Sequence, residues 1–159
     1  MSRRFVLAVL VPALVLLHFL IHVGFSVGSG APDLLTLALL LASRETRAGA
    51  GAALGFVFGL LEDAFSALAF GASALAMTVV GILGAKSRDL FVGESPLFVF
   101  VYLGLGKLLR DLIYWVAAGE TVREPFVSGV LIGGGFSALY VALVGTGLVF
   151  LLGGIRTPR

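Results

Sequence analysis

Apolar residues fill six stretches of this chain, and polar ones collect in the short gaps between them. A helix needs about 20 apolar residues to cross a hydrocarbon layer of about 30 Å. On that measure the pattern predicts spans at Phe5 to Phe25, Ala31 to Ala42, Ala48 to Glu62, Gly71 to Ala85, Leu97 to Ala118 and Phe126 to Leu152. The second is short by this standard, and the third and fourth are tight. The apolar run "AFSALAFG", Ala64 to Gly71, reads as a hairpin that dips into the membrane interface. The first stretch follows a basic start, and its apolar run outlasts the roughly 7–15 residues of a signal-peptide core, so it reads as a retained span.

Composition supports the pattern. Only 13% of the 159 residues are charged, against about a quarter in soluble domains, and mean hydropathy is +1.11. The expected fold is an all-α integral membrane protein, a six-helix bundle forming a single transmembrane domain over residues 1–159, with loops too short to hold a soluble domain. A net charge of +2 is too small to argue for a nucleic-acid partner. The absence of cysteine removes thiolate chemistry, disulfides and cysteine metal sites.

The placement of charge matters more than its sum. Lys and Arg stay cytoplasmic in short loops, and alternating sides puts Arg3, Arg4, Arg44, Arg47, Lys86, Arg88, Arg156 and Arg159 inside and Arg123 outside. This bias predicts six crossings with both termini cytoplasmic. Without the short second crossing, Arg44 and Arg47 would fall outside or the remainder would invert.

Twenty-two glycines exceed what the loops need. Gly51, Gly55 and Gly59 recur every fourth residue on the third span, and Gly129, Gly133 and Ser137 on the sixth. Small residues at this spacing let helix backbones approach closely, commonly within one bundle and otherwise against a partner's helix. The first stripe is the candidate partner-helix face and the second the alternative packing face. The run Gly133 to Gly135 marks a local weakening or bend of the sixth helix.

Lys107, Arg110, Asp111 and Tyr114 fall in one arc of the fifth span, with Lys107 and Asp111 one turn apart and able to pair. Charges at membrane depth cost about 2.5–3.5 kcal/mol each on insertion scales, so they should face protein or water and satisfy one another. Glu62 and Asp63, at the end of the third span, are the acids available for the surplus cation, and a bridge from Asp63 to Arg110 is the expected pairing. The cluster reads either as a neutralised polar core that fixes one packing arrangement or as an ion or proton path.

Other polar features are less specific. His18 and His22 lie one turn apart with Ser26 beyond, but no third ligand or HExxH pattern accompanies them, so they read as interface histidines. Tyr114 and Trp115 suit anchoring at the outer headgroups. Pro32 and Asp33 mark the start of the second helix. No nucleophile with an adjacent base and no phosphate-cradling loop occurs, so neither an enzyme nor a cofactor or metal site is expected.

The succession "PDLL", "GFVFGLLEDAFS" and "ALAMTVVGIL", followed by "LLRDLIYW" some twenty residues on, resembles the rod shape-determining MreD family from about Ala31 to the final span. Ala67, where a glycine is common, and the extra positive charge of "GKLLRD" depart from that pattern. The resemblance implies a non-enzymatic scaffold of the bacterial cell-elongation (Rod) complex in the cytoplasmic membrane. It would bind MreC directly and be linked to MreB, RodA and a class B penicillin-binding transpeptidase in the same complex. It also implies a fold similar to the S components of energy-coupling-factor vitamin importers. That similarity supplies the alternative reading, a small-solute-binding subunit holding its ligand near Glu62, Asp63, Asp111 and Tyr114.

Overall fold

The structure, a computed structural model, describes residues 3–25, 33–65, 69–90, 95–120 and 122–154. Six α-helices follow one another: α1 (Arg3–Phe25), α2 (Leu34–Ser43), α3 (Ala48–Asp63), α4 (Ala72–Leu90), α5 (Pro96–Ala117) and α6 (Gly135–Gly154). Their positions match the six apolar stretches, with two departures. Helix α4 runs past Ala85 to Leu90, and the sixth stretch opens as a π-helix, Val127–Gly134, before tightening into α6. The junction falls inside the triple glycine, where weak helix propensity makes a wider turn least costly.

Helix α2 organises the bundle. It has only ten residues, about 15 Å of rise, and it touches α1, α3, α4, α5 and α6. Leu35, Leu37, Ala38 and Leu39 on its several faces are all fully buried, as expected of a helix that is apolar all round. Enclosure denies its ends water, so both are capped by protein. Asp33 accepts from the Thr36 N–H at 2.9 Å at one end. At the other, the Leu40 carbonyl accepts from the Tyr102 hydroxyl at 2.9 Å and from Ser43 Oγ at 3.2 Å. The short second segment is therefore a core helix wrapped by the others.

Helices α3 and α4 form an antiparallel pair at backbone contact. A Cβ added at Gly51 would strike the Gly81 carbonyl, one at Gly55 the Met77 carbonyl, and one at Gly59 the backbone of Ser73 and Ala74. The stripe expected to receive a partner's helix is thus already filled by α4. The second stripe is corrected as well. Gly133 is exposed and Gly129 lies beside Glu124 of its own segment, because π-helical turns break the every-fourth register. The residues of this segment that bury are Val130 and Gly134, followed on α6 by Ala138, Val141 and Ala142.

Buried polar side chains and exposed apolar ones reverse the order of a soluble domain. Leu16, Leu97, Phe136 and Leu151 are each over 70% exposed, and such side chains are scattered over α1, α3, α4, α5 and α6. A surface of this kind suits lipid. The stretch Val127–Leu151 is by itself long and apolar enough to cross a membrane.

The α3–α4 contact generates a paired prediction. Gly55→Leu should lower the unfolding temperature in detergent by the equivalent of at least about 1–3 kcal/mol, the usual cost of overpacking. Gly49→Ala, where an added Cβ meets nothing within 4 Å, should be neutral or raise stability by about 0.5–1 kcal/mol. Thermal unfolding of the two variants beside the parent protein checks both.

Candidate functional site

Eleven residues of α5, about 16 Å of helix, separate its start at Pro96 from Lys107, and ten more separate Lys107 from Ala117. The charges therefore sit near the middle of a membrane-length helix. At that level α2 begins and α3 ends, and each contributes a carboxylate.

The network can be followed from one acid to the next. Asp33 accepts from the Thr36 N–H and, at 2.7 Å, from the Thr36 hydroxyl, and it lies 3.2 Å from the Lys107 ammonium. Lys107 also donates to Asp111, one turn along α5. The same Asp111 oxygen accepts from Arg110 at 3.1 Å, and the other guanidinium nitrogen of Arg110 donates to Glu62 of α3. The Arg110 guanidinium further lies 5.1 Å from the ring centre of Tyr114. Gly134 of the π-helical segment closes over Asp111, where a Cβ would stand 3.3 Å from the carboxylate.

Lys107 and Arg110 are both buried, with side chains 5% and 9% exposed. Cations at this depth persist because each meets two carboxylates. Three acids, Asp33, Glu62 and Asp111, surround two cations. The remaining acceptor capacity includes Glu62 Oε2, which is buried with no hydrogen-bond partner.

Asp63 does something different from the bridge expected of it. Its carboxylate accepts from the N–H groups of Gly71 at 2.9 Å, Ser73 at 3.1 Å and Ala74 at 2.9 Å, and so caps the start of α4. Consecutive helical residues point about 100° apart. Only one of Glu62 and Asp63 can therefore face α5, and Glu62 is the one that does. The unpaired N–H groups at the α4 terminus make a ready anion site for the other. Gly71, at φ +96°, supplies the left-handed turn that presents them.

Sequence reasoning thus brought Glu62, Lys107, Arg110, Asp111 and Tyr114 together, and the structure places these five in one cluster. It missed Asp33, assigned only to starting α2. The signal was present, since a carboxylate capping an apolar helix needs a cation if it lies at membrane depth. Trp115 is tied into the turn after α5. Its indole N–H donates to the Glu124 carbonyl at 2.8 Å, and its ring lies under Arg123 at 4.5 Å. Arg123 in turn donates to the carbonyls of Val116 and Ala118 at 3.0 and 3.1 Å, closing the helix end. His18 is buried edge-on to Phe19. The His22 side chain, Ser26, Pro32 and Ala67 lie outside the described residues.

An apolar exterior around a buried network of ion pairs marks a helical membrane protein. The chain belongs to the MreD family, for the family model of rod shape-determining protein MreD matches residues 2–117. That match spans α1 to α5 and every member of the charge network. No curated protein and no solved structure matches the chain significantly. The family is one of shape-determining proteins and is not known for enzymes.

Which acid serves Arg110 can be read by double-mutant cycles. Glu62→Gln and Arg110→Gln should be coupled by about 1–3 kcal/mol, the range for residues in direct contact. Asp63→Asn combined with Arg110→Gln should add to within about 0.5 kcal/mol. Unfolding in detergent measures both cycles, and strong coupling at Asp63 would restore the pairing read from sequence.

Proposed function

We propose that this protein is a non-enzymatic scaffold of the bacterial cell-elongation complex, set in the cytoplasmic membrane with its six helices in a single transmembrane domain. It binds the transmembrane helix of MreC and, through MreC, is linked to MreB, RodA and the class B penicillin-binding transpeptidase. Membership of the MreD family carries this reading, because rod-shape determination is the family's role. The geometry supports it. The polar groups of the cluster are occupied mainly with holding α2, α3 and α5 together, which leaves the outer helix faces for partners. Arg44, Arg47 and Lys86 gather at the end of the bundle opposite Trp115 and Arg123, and by the positive-inside bias that end is cytoplasmic, as are both termini.

The α3 glycines being filled, the face open to MreC is the furrow of about 250 Å³ between α5 and α6. Gly104, Gly135, Ala138 and Ala142 make its floor, and small residues of this kind admit a second helix closely. Nothing lies within 4 Å of a Cβ built on Gly135, so a leucine there fills the furrow without disturbing the bundle.

A second reading, a vitamin-binding S component of an energy-coupling-factor importer, draws on the six-helix order and on the open acceptor of Glu62, which would take a solute's donor beside Asp111 and Tyr114. Affinity purification from native membranes in mild detergent separates the two. The scaffold reading expects MreC with the parent protein and a loss of at least about tenfold with Gly135→Leu, equivalent to ~1.4 kcal/mol. Undiminished MreC recovery with Gly135→Leu excludes the furrow. A bound small molecule with coupling ATPases in place of MreC overturns the scaffold.

A further inference from the structure

Between α4 and α5 the outer wall opens into a second furrow, of about 280 Å³, with Leu40 of α2 at its base. Its lining on α5 runs from Phe98 to Leu109, eleven residues or about 16 Å. That is about half of a hydrocarbon layer roughly 30 Å thick, so the furrow has the length of one leaflet. It stops where the next residue of α5 is the buried Arg110. Leu83 and Leu105 at its rim are 46% and 61% exposed, so it is open along its side to lipid.

The walls offer little to a polar ligand. Ser87 Oγ donates to the Gly84 carbonyl at 2.7 Å, and the Tyr102 hydroxyl donates to Leu40. A cation outside that lining adjoins the furrow's Phe98 end. The Arg44 guanidinium lies over the rings of Phe98 and Tyr102, 5.1 and 5.3 Å from their centres, and its Nε is buried with no hydrogen-bond partner. Among the described residues no carboxylate forms an ion pair with it. Lys86 is exposed near the same end, on the last turns of α4.

We propose that this furrow is a binding site for one anionic glycerophospholipid, an acyl chain lying along α5 and the phosphate seated on Arg44. The length of a single leaflet and the cation at one end fit that molecule. A partner's transmembrane helix would run the full thickness and need no anion at that end. A guanidinium lodged over two aromatic rings loses freedom to move, and its planar set of N–H donors suits a phosphate. A zwitterionic lipid brings its own cation and gains less. The proposal is independent of which face MreC uses.

The test is a lipid titration of the full-length protein in detergent, read by native mass spectrometry, with phosphatidylglycerol against phosphatidylcholine. The expected result is one retained phosphatidylglycerol with a Kd about fivefold lower, the equivalent of ~1 kcal/mol for a basic residue at the membrane surface. Arg44→Gln should bring the two lipids to equal affinity. Leu83→Trp, which fills the furrow from an exposed position, should remove retention of both. Equal affinities in the parent protein overturn the proposal without recourse to any variant. So does a preference that survives Arg44→Gln, retention that survives Leu83→Trp, or a photo-crosslinker at Leu83 in native membranes that captures a polypeptide instead of a phospholipid.

Discussion

Two cations cannot be held at the middle of an apolar bundle unless carboxylates arrive at the same height, and this requirement sets much of the structure. Lys107 and Arg110 are fixed on α5, so Asp33 and Glu62 must reach them from α2 and α3. The level at which α2 begins and α3 ends follows. Because Asp63 adjoins Glu62, the position of Glu62 also decides where Asp63 points, and therefore where α4 starts. Glycine-rich helices pack closely but slide easily, since one small residue resembles the next. A charge network supplies the register that such surfaces lack, the best-attested use of buried ionic groups.

Helix α5 divides the molecule's two kinds of surface. Its inward side carries the cations, and its outward ridge, Val101 and Leu105, borders both furrows. The furrow toward α6 is floored by glycine and alanine and suits close approach of another backbone. The one toward α4 is walled by larger apolar side chains and adjoins a cation, which suits a flexible chain with a charged head. The difference arises from which neighbours line α5, since the ridge itself is shared.

Where the helices lie was legible because apolar runs and caps are local signals. Asp33 ahead of an apolar run marks a helix start whatever the rest of the chain does. The partner of Arg110 was not legible. Glu62 and Asp63 are adjacent, and which of them faces α5 depends on the direction from which α4 returns. The glycines of α3 announced a close approach but not by whom, since the same spacing serves α4 and a separate chain equally. Enclosure of α2 was hidden for a similar reason, as ten apolar residues read the same in a short span and in a buried core. The π-helical opening of the sixth stretch left only its three glycines as a trace.

Helix α2 also bears on how the bundle is made. A segment of about 15 Å cannot span a hydrocarbon layer twice as thick, and it carries at its start a carboxylate that lipid would reject. It has no stable place in a bilayer by itself. Its residence at the centre has to follow the arrival of α3 and of α5, whose Lys107 neutralises Asp33. The innermost helix, among the first synthesised, is among the last to be settled.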